Sequence, residues 1–321
     1  MIFEKTVLGF YKQIAFSRCD GDRATFFFSP EDFEGLRYEG YTFRSQEGNT
    51  LQGYIYNYDN YSEGELVIFD HGFGAGHRSY MREIEVLCKM GYQVFSYDHT
   101  GCMESEGEGN LGMGGSLSDL RRALEAILSD EKFGGRRIFV IGHSRGGFAA
   151  MNVSKYYPNI EKTVVISGFT SVKALVDSFF SGLLALYRKP VMRLEEKTNE
   201  NNVKADGIEA LRSIKGKALL VYSANDKLAT KRRQYDPLFA ALSDKENVSF
   251  ILEKNKGHNP TYTENAVRLL GEYLSKKAKL GKKIALASEA EMAEFINGFD
   301  WWAMTEQDPA IWNKIEAFLK G

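Results

Sequence analysis

Cysteine is scarce in this 321-residue chain: Cys19, Cys88 and Cys102 are all there is, with no C-x-x-C spacing. So small and odd a set excludes a disulfide framework and a cysteine-based zinc site. Neither sign of charge dominates, since 41 basic and 43 acidic residues leave a net charge of −2. The broad basic surface that nucleic acid or an anionic membrane requires is therefore not expected. Long apolar runs are missing too. The longest candidate, 174–187, is interrupted by Asp177 and two serines, short of the roughly 18 apolar residues of a membrane span. The first residues carry Glu4 and only a short apolar stretch before Lys12, unlike a secretory signal. The expected compartment is a reducing cytoplasm. Internal repeats and flexible linkers are absent as well.

What is present is ordinary globular material, 43% hydrophobic and 26% charged, in a length that can bury a sizeable core. Short apolar runs at 66–69, 92–97, 137–141, 163–166, 218–222 and 248–252 read as strands buried on both faces. Tyr54, Tyr56 and Tyr58 alternate with other residues as an outer strand does. Between the runs lie helical patterns. Leu117, Leu120, Leu124, Ile127 and Leu128 form one apolar face, and Ala266, Val267, Leu270, Tyr273 and Leu274 another. Strand and helix alternation predicts an α/β fold with a mostly parallel sheet.

Two segments depart from the rhythm. From 169 to 214 there is no strand signal. Residues 172–187 read as helical and Pro190 as their stop, with an exposed turn over 195–202. That is far longer than the usual 2–6-residue connection and predicts an inserted helical cap. A C-terminal helical extension is expected over 282–321. It carries a capping box at Ser288-Glu-Ala-Glu291, a stop at Asn297-Gly298 and a Pro-initiated helix at Asp308-Pro309. Ile311, Ile315, Phe318 and Leu319 give that last helix an apolar stripe.

The chemistry is carried by Gly142-His143-Ser144-Arg145-Gly146, placed between the strand at 137–141 and a helical pattern at 148–156. G-x-S-x-G alone is weak, but strand, motif and helix in that order describe a nucleophile elbow. Ser144 is the candidate nucleophile, and a serine hydroxyl needs a base. Of the five histidines only His258 follows both the serine and a later acid. It sits in a loop just past the strand at 248–252. Asp226 stands immediately after the strand at 218–222, at the carboxyl edge where open α/β sheets bind ligands. Asp226 is the candidate acid, with Glu253 as the fallback. The glycine-rich loop His71-Gly-Phe-Gly-Ala-Gly76 would let backbone amides approach a developing oxyanion. Phe73 is the expected donor there, with Gly74 as alternative, and Arg145 supplies the second through its backbone N–H. Neither a Walker-type nor a G-x-G-x-x-G phosphate loop is present.

Together, His71-Gly-Phe-Gly, Asp98-His-Thr-Gly101 with Ser105 and Gly107, Gly142-His-Ser-Arg-Gly146, Asp226 and His258 resemble the α/β-hydrolase superfamily over about 41–279. Within it, the chain is most similar to the serine aminopeptidase and lysophospholipase-like branch. That resemblance implies a mostly parallel eight-stranded sheet with helices on both faces. It also implies a helical cap before the acid-bearing strand, and Ser144, Asp226 and His258 as nucleophile, acid and base. Cys102 and Met103 interrupt the D-x-x-G-x-G-x-S pattern that members often show. Catalytic parts spread from Phe73 to His258 demand one continuous domain over 1–321 rather than two modules.

The expected function is a serine hydrolase acting on a small-molecule carboxylic ester through an acyl-enzyme. An aminopeptidase or amidase is the alternative, and an acyltransferase the third reading. Apolar side chains at Phe179, Phe180, Leu183, Leu184, Leu186 and Tyr187 suit an acyl group or ordinary packing. Glu195, Glu196 and Glu209 could hold a substrate amine or form a solvated face. The chemistry calls for no metal, nucleotide or flavin. A homo-oligomer stays open, with the 301–302 tryptophan pair as one place where copies could meet.

Overall fold

The computed structural model describes residues 3–74 and 76–321. Met1, Ile2 and Ala75 lie outside the described residues, the last within the glycine-rich loop at 71–76. Eight strands form one sheet: β1 (Arg37–Arg44), β2 (Thr50–Asn57), β3 (Glu65–Asp70), β4 (Gln93–Tyr97), β5 (Arg137–His143), β6 (Ile160–Ile166), β7 (Lys217–Ser223) and β8 (Val248–Glu253). Their spatial order is β1-β2-β4-β3-β5-β6-β7-β8. β2 runs antiparallel to both neighbours, and every other pairing is parallel.

The helices are α1 (Glu4–Ala15), α2 (Met81–Lys89), α3 (Gly115–Ser129), α4 (Arg145–Val153), α5 (Val172–Phe179), α6 (Arg188–Val203), α7 (Gly207–Arg212), α8 (Tyr235–Leu242), α9 (Glu264–Leu280), α10 (Lys282–Ala285), α11 (Glu289–Asn297), α12 (Trp301–Met304) and α13 (Pro309–Lys320). Local chemistry sets many of their starts. Ser171 accepts from the Ala174 amide, Asp206 from those of Ile208 and Glu209, and Thr263 from that of Ala266. Ser288 and Glu291 close a capping box, and Asp308 caps α13 ahead of Pro309.

The central strands are buried on both faces because each side of the sheet carries helices. On β5, Ile138 and Val140 belong to one core while Phe139 and Ile141 belong to the other. The first core is closed by α1, α3, α4, α5 and α6. The second is closed by α2, α9, α12 and α13 together with Phe28, Phe33 and Leu36. Beyond β6 a third cluster under α7 and α8 finishes the sheet.

Two expectations fail between β6 and β7. Pro190 does not end a helix: it sits in the first turn of α6, where its missing N–H has no intrahelical acceptor to lose. Nor is 195–202 an exposed turn. It continues α6 with a kink at Asn199, and Glu195 and Asn202 are buried. Both side chains point at distant segments. Glu195 accepts from the Tyr11 hydroxyl at 2.6 Å and from the Met113 amide at 3.0 Å. Asn202 donates to the Gly114 carbonyl at 3.1 Å.

Candidate active site

Parallel register brings the carboxyl ends of β3, β5, β7 and β8 to one edge: Asp70 lies opposite Gly142, and Ser223 opposite Glu253. The loops that follow carry the candidate residues. Ser144 sits between β5 and α4 with φ 54° and ψ −111°, a conformation that strains a non-glycine residue by about 1–3 kcal/mol. The flanking glycines are required by contact. A Cβ at Gly142 would lie 2.2 Å from the Gly146 carbonyl oxygen, and one at Gly146 would lie 2.0 Å from that of Asp70. The Ser144 amide donates to the Ile166 carbonyl at 2.8 Å, tying the turn to β6.

The structure brings Ser144, His258 and Asp226 into one line. His258 Nε2 lies 2.9 Å from Ser144 Oγ, and its Nδ1 lies 2.8 Å from Asp226 Oδ2. The carboxylate only accepts, so Nδ1 carries the proton and Nε2 is left to accept from the serine hydroxyl. Asp226 is held in turn: its Oδ1 accepts from the Leu228 and Ala229 amides at 2.8 and 3.0 Å. Glu253, the fallback acid, instead faces Lys314 at 3.6 Å.

Behind His258 lies a second imidazole that the spacing did not single out. His143 Nε2 is 2.9 Å from the His258 carbonyl, so it donates there, and its Nδ1 accepts from the Tyr80 hydroxyl at 2.8 Å. Tyr80 accepts from the Gly72 amide at 3.1 Å. Burial, reinforced by the neighbouring His258, pushes the His143 ring down to about 3. It is therefore neutral wherever the protein is folded near neutral pH, and this chain of bonds has one direction. The His258 loop is also braced from far along the chain. Lys256 donates to the Tyr262 carbonyl at 2.6 Å and pairs with Asp308 at 2.5 Å, and the Asp308 amide returns to the Thr261 carbonyl at 2.7 Å.

The glycine-rich loop rests on buried histidines and carboxylates. His71 gives Nδ1–H to the Gly72 carbonyl at 2.7 Å and accepts from the His99 amide at 3.1 Å. Burial keeps its ring far below the usual imidazole range. Burial also works against protonation of His99, but Asp70 and Asp119 at 3.1 and 3.3 Å override it and raise the ring to about 9. Asp98 accepts from the His77 amide and ring, both at 2.8 Å. The interruption at Cys102 and Met103 is absorbed by a bridge to the N-terminal segment. There the Cys19 amide donates to the Gly101 carbonyl at 2.8 Å and the Met103 amide to that of Cys19 at 3.0 Å.

A cavity of about 220 Å³ opens onto Ser144 and His258. Phe73 and Arg145 line it, as do Leu175 and Phe179 of α5. The Arg145 side chain is almost wholly buried, and its guanidinium carbon is 5.8 Å from the Phe73 ring centroid. Glu195, Glu196 and Glu209 do not line the cavity. The first is buried against α1, and the other two are exposed. Among the described residues no helix is long and apolar enough to cross a membrane.

Known proteins share this fold. A family model described as serine aminopeptidase, S33, matches residues 62–238, more than half of the chain. An acylamino-acid-releasing enzyme of Mus musculus is 28% identical over 138 residues, which are 40% of this chain and 18% of that protein. Its Rattus norvegicus counterpart is 29% identical over 102 residues. The chain thus spans less than a fifth of the length of these relatives. Among solved structures, an esterase of Pyrococcus furiosus superposes with a TM-score of 0.59 at 18% identity, covering 88% of this chain and 99% of that one. An acetyl xylan esterase from Paenibacillus sp. R4 gives 0.56 at 17%, covering 80% and 88%. A Pyrococcus horikoshii acylaminoacyl peptidase gives 0.54 at 18%, covering 71% and 38%. At these identities the likeness is one of fold. With the sheet order and the family match in agreement, the chain belongs to the serine aminopeptidase S33 family of α/β hydrolases.

Proposed function

We propose that the protein is a serine hydrolase cleaving a small carboxylic ester, with Ser144 as nucleophile, His258 as general base and Asp226 as orienting acid. The observation that carries this reading is the unbroken line from Ser144 Oγ through His258 to Asp226. In the forward step His258 takes the Oγ proton as Oγ bonds to the ester carbonyl carbon. The carbon–oxygen bond to the alcohol then breaks, and His258 returns the proton to the departing oxygen. Water, activated by the same imidazole, repeats the sequence and releases the carboxylic acid. The Arg145 and Phe73 amides are the proposed donors to the oxyanion. Arg145 opens α4, so its N–H is one of the first-turn amides without an intrahelical acceptor. Removal of one such donor, where testable, costs roughly 10²–10³ in kcat.

Ester cleavage is preferred over aminopeptidase action because the cavity wall supplies no carboxylate for a free amine. Among the described residues lining it, the fixed charge is the cation Arg145. A fluorophosphonate probe tests the chemistry: native protein is labelled, and Ser144→Ala is not. Absence of labelling on folded wild-type protein would contradict the assignment. A panel of nitrophenyl esters against aminoacyl nitroanilides tests the substrate class, with esters expected to turn over faster.

A further inference from the structure

Helix α1 has two apolar stripes, and the core uses one of them. Leu8, Tyr11 and Ala15 face the first core. Val7, Phe10 and Ile14 lie roughly 100° further round the helix, and there Phe10 is 66% exposed. The helix cannot roll to hide this second stripe, because the Tyr11 hydroxyl is held by the buried Glu195 carboxylate at 2.6 Å. Single exposed apolar side chains are ordinary, but a contiguous set beside a cavity marks a place where something binds.

The second stripe runs into the cavity that contains Ser144 and His258. Ile14 lines that cavity and is 43% exposed, and so do Phe179 of α5 and Leu228 after β7, at 45 and 44%. Three elements distant in sequence thus each set an apolar side chain at the mouth, partly in the cavity and partly in water. Phe10 stands one turn away from Ile14 on the same helix face. The end of α5 packs beside α1, with the Tyr11 and Phe180 ring centroids 6.0 Å apart. Ordinary packing does not account for the apolar residues that follow there, because Leu183, Leu184 and Leu186 stay exposed. At about 220 Å³ the cavity is smaller than the roughly 300–1,000 Å³ of a site that encloses a drug-sized ligand. A chain of more than a few carbons bound at Ser144 must therefore leave through the mouth, past Ile14.

We infer that α1 forms the outer part of the substrate site: Ile14 and Phe10 receive the alkyl chain of an ester whose carbonyl sits at Ser144, so that medium-length chains are preferred over short ones. The inference rests on the serine-hydrolase reading above. It gives the N-terminal lead a role of its own, since residues 4–15 precede the family-matched segment at 62–238. An acyl chain and an alcohol chain offer the stripe the same methylenes, so each is tested in turn.

The test compares wild-type kcat/KM for 4-nitrophenyl butanoate and 4-nitrophenyl decanoate, each below its aggregation concentration. Decanoate is expected to be favoured about 10- to 100-fold, part of what full burial of the added methylenes would give. A second pair, butyl acetate and decyl acetate, puts the chain on the alcohol. Preference for the longer chain in either pair supports the inference and says which side of the ester carries it. Phe10→Ser should cut the long-to-short ratio about three- to tenfold, whatever it does to the absolute rates. Leu274→Ser, at a 52% exposed leucine of α9 on the other flank, should leave that ratio unchanged. Ratios near unity in both wild-type pairs overturn the inference even if the variants do not fold, as does a ratio that both variants lower alike. A stripe that joins two copies would instead give a dimer in sedimentation that Phe10→Ser dissociates with the ratio intact, and that too overturns it. Should neither nitrophenyl ester be hydrolysed and fluorophosphonate fail to label, it is the hydrolase reading that falls.

Discussion

The two flanks of the sheet are built from different materials. The flank under α2, α9, α12 and α13 is nearly all apolar, with Trp312, Met304, Ile311, Ile315 and Leu319 pressed against β5 and β6. Its buried polar exceptions include Glu83 and Glu85 of α2 and Lys162, which donates to the Leu319 carbonyl at 2.6 Å. The opposite flank, under α1, α3, α4 and α6, buries Tyr11, Asn110, Arg145, Glu195 and Asn202 beside its aliphatic core. Apolar burial stabilises without direction, at about 25 cal/mol per Å². Buried polar groups contribute less net stability, but they fix which atom meets which. The first flank thus works mostly through undirected packing, with the Asp308 cap of α13 reaching the His258 loop, and the second fixes polar contacts beside Ser144.

Mutations can break that division of labour or sharpen it. Ser144→Ala should lower ester kcat/KM by about 10⁴-fold or more, with far-UV dichroism and the urea midpoint little changed. A loss under tenfold would remove Ser144 from the chemistry. Ile315→Ala, on the apolar flank, should cost about 2–5 kcal/mol in urea unfolding. Turnover per folded molecule should stay within about twofold of wild type, and a larger change would dissolve the contrast between flanks.

A pH titration probes the charged layer beneath the glycine-rich loop. Since the folded protein raises His99 from 6.5 to about 9, its contribution is fully present below pH 6.5 and is lost as pH rises through 9. The loss should approach roughly 3 kcal/mol, at about 1.4 kcal/mol per unit. Urea unfolding between pH 7 and 9.5 measures it, and His99→Asn should flatten the slope. The smallest effect is expected from Tyr80→Phe, which removes the hydroxyl bridging Gly72 and His143. About 1 kcal/mol of stability should go. A several-fold drop in kcat should accompany it, as the anchor on the His258 carbonyl loosens. Unchanged kinetics would reduce the His143 chain to a purely structural role.

What the sequence disclosed and what it hid divide along the same physical line. The elbow at 142–146, the caps at Ser288 and Asp308 and the apolar run of β5 are local, so neighbouring residues declare them. β1 escaped notice because it is an edge strand with Arg37, Glu39 and Arg44 exposed, which erases the alternation that marks half-buried strands. Glu195 read as part of a polar surface because its partner Tyr11 lies 184 residues away. Tyr80 and Lys256 carry no spacing signal at all, since each acts on a loop reached only through the folded sheet. The positions of Ser144, Asp226 and His258 were thus legible, whereas the groups that hold them still were not.

The brace between Lys256 and Asp308 spans 52 residues of chain, and this ties the site to the order of synthesis. At translation rates of about 5–20 residues per second, His258 is made roughly 3–10 s before the carboxylate that steadies its loop. During that interval a nascent chain already holds every member of the Ser144–His258–Asp226 line but not the contacts that set its geometry. On the proposed reading, hydrolysis would therefore begin late, when α13 docks, rather than when His258 is added.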